Sequence, residues 1–271
     1  SEALENIGDD IYVNGQLINA VRFADDQAMV AGSNAGLQRI MDALNQTSER
    51  YGMKINIKKT KAMRMSKTGG KPATIVLNGE KLEQVGQFLY LGSMVTDDSR
   101  CHKEIKRRIA LGKVAFAKRR ELLKGQLDLQ LKKRLVKAFI WSMVLYGSET
   151  WTLLKEDIKR LEAFEMWIWR RIMKISWTEH KTNEEVLKMV NEKRSLIDTI
   201  RGRQKNWIGH ILRGDSLLRT VLEGRMEGKR TRGRPRTMLL DWMMDKTENY
   251  QHVKEKARNR EAWHHWVPGP A

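Results

Sequence analysis

The amino-acid sequence predicts an α+β protein, with hairpins, one helix and short strands over residues 1–98 and helices after them. Three observations carry this. Short apolar and β-branched runs, separated by Asn-Gly and Asp-Asp turn positions, fill the first third. Apolar residues at spacings of three and four, with charges between them, fill the rest. The charge changes at the same place. Residues 1–98 hold 11 Lys and Arg against 12 Asp and Glu; of the chain's 51 basic and 33 acidic residues, 40 and 21 remain for 99–271, a net of +19.

Residues 11–31 predict hairpins. Tyr12-Val13-Asn14-Gly15-Gln16-Leu17 contains an Asn-Gly turn, Leu17–Ala24 reads as a strand, and Gln27–Ala31 is its return. Asp25-Asp26 is the expected two-residue connection. Residues 34–51 predict a helix, with Leu37, Ile40, Met41, Leu44 and Thr47 on one face, Ser33 or Asn34 as cap and Gly52 as stop. Met53–Ile57 alternates like a strand. Thr74–Leu77 and Lys81-Leu82 flank an Asn78-Gly79 turn, and Gln87–Gly92 is a short apolar strand.

The remainder reads as helical. Ile105, Ile109, Phe116 and Leu123 set an inward stripe along 100–124, a stretch that also carries ten Lys and Arg but two Glu. A helix over about 128–146 is expected to face inward through Leu131, Leu135, Phe139 and Tyr146, and one over about 155–175 through Ile158, Leu161, Phe164, Ile168 and Ile172. Trp151, Trp167, Trp169 and Trp177 lie in or beside the latter and read as core rather than as base-stacking platforms. A basic helix over 193–213 precedes the breaker segment Gly228–Arg236, and Met238–Met244 and 250–266 read as two closing helices. No internal repeat is visible.

Composition narrows the function classes. Cys101 is the single cysteine, so an internal disulfide and a multi-cysteine zinc site are excluded. The six histidines show no ligand spacing with it. A reducing, intracellular location fits. No apolar run reaches the 18 or so residues of a membrane span, so no membrane partner is expected. The chain opens on Ser1 with no signal peptide, which reads as a fragment or a processed end. A basic surface segregated into one part of the chain points to a polyanion partner by counterion release; solvation for solubility is the blander reading.

Phe23-Ala24-Asp25-Asp26 is the sharpest local signal. Paired carboxylates at a hairpin tip suit the bridging of two Mg²⁺ ions about 3.5–4 Å apart. Asp is also an ordinary turn former, so the pair alone carries little. The order of the downstream blocks changes its weight. Phe23–Asp26 resembles the aromatic-x-Asp-Asp box of reverse transcriptases. Gly52-Met53-Lys54-Ile55-Asn56-Ile57-Lys58-Lys59-Thr60-Lys61 resembles the Gly-Leu-x-Ile-Asn-x-x-Lys-Thr-Lys segment of LINE-type (non-LTR) retrotransposon reverse transcriptases. Phe88-Leu89-Tyr90-Leu91-Gly92-Ser93 is similar to their primer-grip strand. Tyr146–Trp151, Trp207–Arg213 and Gly233-Arg234-Pro235 resemble further blocks of the endonuclease–reverse-transcriptase proteins of this group. The resemblance covers nearly the whole chain.

It implies the rear part of a reverse-transcriptase palm over 1–98, a thumb-like helical region over 99–177 and a basic helical C-terminal region over 178–271. The implied activity is RNA-directed DNA polymerisation: deoxynucleotides added to a 3′-hydroxyl primer on an RNA template. Its cofactor would be Mg²⁺, or Mn²⁺. Asp25 would be a metal ligand with Asp26 beside it, and Lys59 or Lys61 would approach the leaving pyrophosphate. For both lysines a solvated strand end is the alternative, and the sequence does not choose between them. Tyr90, Leu91 and Gly92 would hold the primer terminus, or simply pack in the sheet. The partners would be an RNA template and a DNA primer duplex, and the location nuclear.

Two departures matter. Family members carry another metal-binding Asp on an earlier strand and then a Gly-containing block that contacts nucleotide and template; neither is found before Asp25, where Asp9-Asp10 sits in a polar stretch. The isolated chain is therefore expected to be inactive, with an upstream polymerase segment or endonuclease domain belonging to a full-length protein. On the thumb-like region Lys103, Lys106, Arg107, Lys113 and Arg120 would contact phosphates. Arg232-Gly233-Arg234-Pro235 resembles an AT-hook core, in which Arg232 and Arg234 would enter a narrow minor groove; a basic loop or nonspecific phosphate binding are the other readings. Two further function classes stay open: a nonenzymatic nucleic-acid-binding remnant, and a helical interaction module.

Overall fold

A computed structural model describes residues 11–66, 72–224, 236–244 and 249–267. These divide into two compact units, one drawn from residues 11–66, 72–90, 95–99 and 214–224, the other from 91–94, 100–213, 236–244 and 249–267. The α+β class holds. The strands form five separate two-stranded sheets among the described residues.

In the first unit β1 (Ile11–Val13) and β2 (Gln16–Ile18) form a hairpin across Asn14 and Gly15. Both have positive φ, 52° and 76°, as a type I′ turn requires. β3 (Ala20–Phe23) and β4 (Asp26–Met29) pair in the register Phe23↔Asp26. The residues at the centre of this turn are therefore Ala24 and Asp25, not the expected Asp25 and Asp26. Asp26 has joined the ladder opposite Phe23, and the positive φ falls on Ala24 at 52°.

α1 (Asn34–Arg50) starts where Ser33 Oγ accepts from the Gly36 amide at 3.0 Å and ends before Gly52. Its Met41 packs with Ala62, Ile75, Leu77 and Leu82, and Leu37, Ile55 and Ile57 lie against that cluster. Met53–Ile57 is not a strand. Asn56 closes a turn instead, accepting from the Lys59 and Thr60 amides at 3.1 and 2.9 Å. Ile55 and Ile57 keep their alternate burial without a ladder partner. The strand comes later as β5 (Lys61–Ala62), and pairs parallel with Glu83–Gln84. β6 (Val76–Leu77) and β7 (Glu80–Lys81) flank the expected Asn78-Gly79 turn, and Glu83–Gln84 is β8. The Gln38 amide of α1 serves β6 as a substitute strand partner: it accepts from the Val76 amide at 2.8 Å and donates to the Val76 carbonyl at 2.6 Å. β9 (Gln87–Tyr90) matches the expected apolar strand and forms a hairpin with β10 (Ser93–Thr96).

The second unit is helical. α2 (His102–Lys118) and α3 (Arg120–Lys124) replace the single expected helix, which breaks at Arg119. α4 (Leu129–Leu135) runs through a π-helical stretch, Val136–Trp141, into α5 (Ser142–Val144). Of the four residues expected to face inward, Leu135 packs against the core, but Leu131, Phe139 and Tyr146 are exposed, and Val136, Ile140, Trp141, Val144 and Leu145 are buried instead. Apolar residues occur on every face of the rod, so spacing alone does not select one. The indole of Trp141 does, packing 6.0 Å from Phe164 and 5.9 Å from Trp169.

α6 (Lys155–Ile172) buries Leu161, Phe164, Ile168 and Ile172 as expected, with Trp151 and Trp169 in the core. α7 (Asn183–Val190) and α8 (Leu196–Arg213) come next. Glu165, fully buried in α6, accepts from the Ser195 and Leu196 amides at 3.0 and 3.2 Å and so caps α8. The helix Leu217–Glu223, α9 in chain order, belongs to the first unit. Of the two expected closing helices, 238–244 is a single 3₁₀ turn at Asp241–Met243. Residues 250–266 form α10 (Tyr250–Arg258) and α11 (Arg260–His265), parted at Asn259, whose side chain caps the second.

Candidate functional site

Asp25 and Asp26 stand exposed at the tip of the β3–β4 hairpin. The hairpin is tied to β9, the strand expected to grip a primer: the Tyr90 hydroxyl donates to the Val21 carbonyl of β3 at 3.3 Å. Two of the three sequence blocks thus meet within the first unit. In the third, Lys61 and Lys59 have different surroundings. Lys61 pairs with Glu83 across the β5–β8 ladder. Lys59 is exposed, and its ammonium has no carboxylate partner among the described residues.

Among the described residues no group of three or more His, Cys, Asp or Glu is placed to hold a metal ion. Two carboxylates on one exposed tip do not make the ligand set of a two-metal centre, which needs a further carboxylate from another strand.

Leu91–Met94, at the turn after β9, belong to the second unit and pack on its helices. Leu91 and Gly92 have φ of 46° and 77°, in the left-handed region, and the carbonyls of both accept from side chains. The Leu91 carbonyl accepts from the Tyr146 hydroxyl at 2.9 Å. The Gly92 carbonyl accepts from Arg107 at 3.3 Å and from Arg108. Arg108 is buried, lies 4.4 Å from the centroid of the Tyr146 ring and pairs with Glu104, whose other oxygen accepts from the Met94 amide at 3.0 Å. Leu91 and Gly92 are therefore held by a phenol and two guanidinium groups, and Met94 by the carboxylate that pairs with those guanidinium groups.

Sequence reasoning missed Arg108 and Glu104. The signal was present: both fall on the buried face of α2 with Ile105, Gly112 and Phe116, where an unpaired charge is not tolerated. Arg107, read as a phosphate ligand, is half-buried between Glu104 and Gly92. Lys103, Lys106, Lys113 and Arg120 are exposed, and the Lys113 ammonium lies 5.5 Å from the Trp167 ring centroid. Arg232 and Arg234 lie outside the described residues. No described helix is long and apolar enough to cross a membrane.

Over 210 residues the chain is 25% identical to a Caenorhabditis elegans protein described as an uncharacterized transposon-derived protein; the match covers 74% of each chain. No family model matches the sequence. No solved structure matches it.

Proposed function

We propose that the chain is transposon-derived and is the rear palm and thumb-like part of a non-LTR reverse transcriptase, which holds a primer–template duplex and does not extend it alone. The bond from the Tyr90 hydroxyl to the Val21 carbonyl carries this reading, because it joins the Asp-Asp hairpin to the primer-grip strand. In a complete site Asp25 and Asp26 would supply charge beside the reacting phosphates, and Lys59, rather than the paired Lys61, would face the leaving group. The transposon-derived relative supports the origin and names no activity. The net of +19 over 99–271 supports contact with a polyanion.

Primer extension by the purified chain on a primed RNA template, with Mg²⁺ and then Mn²⁺, tests the reading together with duplex binding at graded salt. The expected result is salt-sensitive binding without extension. Extension that Asp25→Ala abolishes would show that the chain is a complete polymerase. Absence of duplex binding at low salt would leave a helical interaction module as the better description.

A further inference from the structure

Where cations crowd together in the helical unit, a carboxylate usually sits among them. Lys133 and Lys137 share Glu192, Arg107 and Arg108 share Glu104, and Arg194 lies between Glu162 and Glu184. The far ends of α3 and α6 break this pattern. Lys113 and Arg171 both lie over the ring of Trp167, at 5.5 and 4.5 Å from its centroid, so their separation cannot exceed the sum of those distances. Arg120 and Lys124 are on α3, which packs on α6, and Lys174 lies just past the last turn of α6. None of the five has an ion-pair partner among the described residues. The crowding is felt: the Lys124 ammonium is held below its ordinary pKa by desolvation and then by the like charges of Arg120, Arg171 and Lys174.

We propose that the ends of α3 and α6, with Trp167 as their floor, form a binding site for successive phosphates of a nucleic-acid backbone. The nature of the ligand rests on the nucleic-acid reading of the chain's function; the site itself rests on the gathered cations, none of them ion-paired among the described residues. Trp167 does not stack on bases here. Its ring is stacked on Phe164, at 6.0 Å and 16°, and met edge-on by Phe116 at 5.2 Å, and the two cations lie over it. The indole therefore orients cations by their attraction to its π face, which lowers the cost of ordering them for a phosphate. Repulsion of Lys124 by Arg120, Arg171 and Lys174 is relieved when an anion enters. Contacts of this kind position a duplex and read no sequence.

Two triple variants of the full chain test this. Arg120→Gln/Lys124→Gln/Lys174→Gln removes three of the five cations; Lys155→Gln/Lys188→Gln/Lys193→Gln removes the same charge from exposed positions elsewhere. Each phosphate contact contributes about −0.9 to the log–log salt slope on B-DNA. The cluster variant is expected to lose roughly two to three units of slope, and the control less than about one. Calorimetry with inorganic tripolyphosphate is expected to show binding to wild type and control and none to the cluster variant. Circular dichroism checks that both variants are folded, and Lys124→Gln/Lys174→Gln is the milder substitute. Duplex binding with equal slope loss in both triples would overturn the site and leave the nucleic-acid reading intact. Failure of the wild type to bind duplex would overturn the ligand named here along with that reading.

Discussion

The Arg108 guanidinium lies 4.4 Å from the centroid of the Tyr146 ring, and both side chains reach the same hairpin tip: Tyr146 bonds the Leu91 carbonyl, Arg108 the Gly92 carbonyl. A strand tip read from sequence as primer-gripping is thus fixed from below by a buried cation. Its precision depends on the pair Arg108–Glu104.

Arg108→Ala is expected to destabilise the chain by about 3 kcal/mol, the lower end of the range for breaking a buried ion pair. The lower end applies because Arg107 lies 3.2 Å from Glu104 and keeps part of the compensation. The double variant Glu104→Gln/Arg108→Met should lose less than Arg108→Ala, since no buried charge is stranded. Urea unfolding of the three proteins checks this; a double variant weaker than the single would show that packing, not charge, holds the tip.

Ala24 has a φ of 52° at the Asp-Asp hairpin tip, a conformation that costs a non-glycine residue about 1–2 kcal/mol. Ala24→Gly should therefore gain up to about 1 kcal/mol, part of the relief being offset by glycine's extra chain entropy. Ala24→Val should lose more than about 1 kcal/mol, since a β-branched side chain is worse there. Denaturant midpoints for both variants measure this, and equal midpoints for Gly and Val would mean that the tip is unstrained.

Much of this was legible in the sequence, and the failures have physical causes. Asn14-Gly15 and Asn78-Gly79 announce their turns because few other residues accept two positive φ values in succession. The Leu161, Phe164, Ile168 stripe of α6 reads inward because polar residues separate it. The rod from Leu129 to Val144 misleads because apolar residues occupy every face, and tertiary packing of Trp141 decides. Met53–Ile57 alternates like a strand, but no neighbour offers it a ladder and Asn56 closes a turn. Gly209 in the Trp207–Arg213 block has a tertiary reason no local pattern shows: a Cβ there would lie 2.2 Å from the Trp263 indole nitrogen. At the candidate site, sequence order picked out the Asp25-Asp26 hairpin and the Gln87–Gly92 strand, both of which form. Their junction through Tyr90 and Val21, 69 residues apart, needed the fold.

The start of α7 should respond to acid. Glu185 accepts from the Thr182 amide at 2.6 Å and from its hydroxyl at 3.0 Å, while the Thr182 hydroxyl accepts from the Glu185 amide. These bonds, that from the backbone amide first, hold the Glu185 carboxyl below its ordinary value of 4.5. A depressed folded pKa means that the stabilisation is complete above 4.5 and is lost as pH falls through the lower, folded value. Amide exchange at Glu185–Leu187, corrected for intrinsic rates, should speed up in that window. Glu185→Gln keeps an acceptor without a titrating proton, so its protection should be flat with pH; a slope as steep as wild type would place the acid sensitivity elsewhere.

The Asp-Asp tip makes a prediction about metal that separates a ligand pair from a finished centre. Two exposed carboxylates on one hairpin give a divalent ion two oxygen sources, and a small hard cation holds its remaining waters tightly. Affinity should therefore be weak, with a dissociation constant on the order of 1 mM or higher, near the weakest oxygen-ligand sites. Mn²⁺ titration followed by NMR relaxation reads this residue by residue: broadening should centre on Ala24, Asp25 and Asp26 and disappear in Asp25→Asn/Asp26→Asn. Adding a primer–template duplex should tighten it, because backbone phosphates supply the oxygens the tip lacks. Micromolar Mn²⁺ binding without nucleic acid would mean that another carboxylate reaches the tip, and the chain would then have the metal set that the extension assay is expected to find missing.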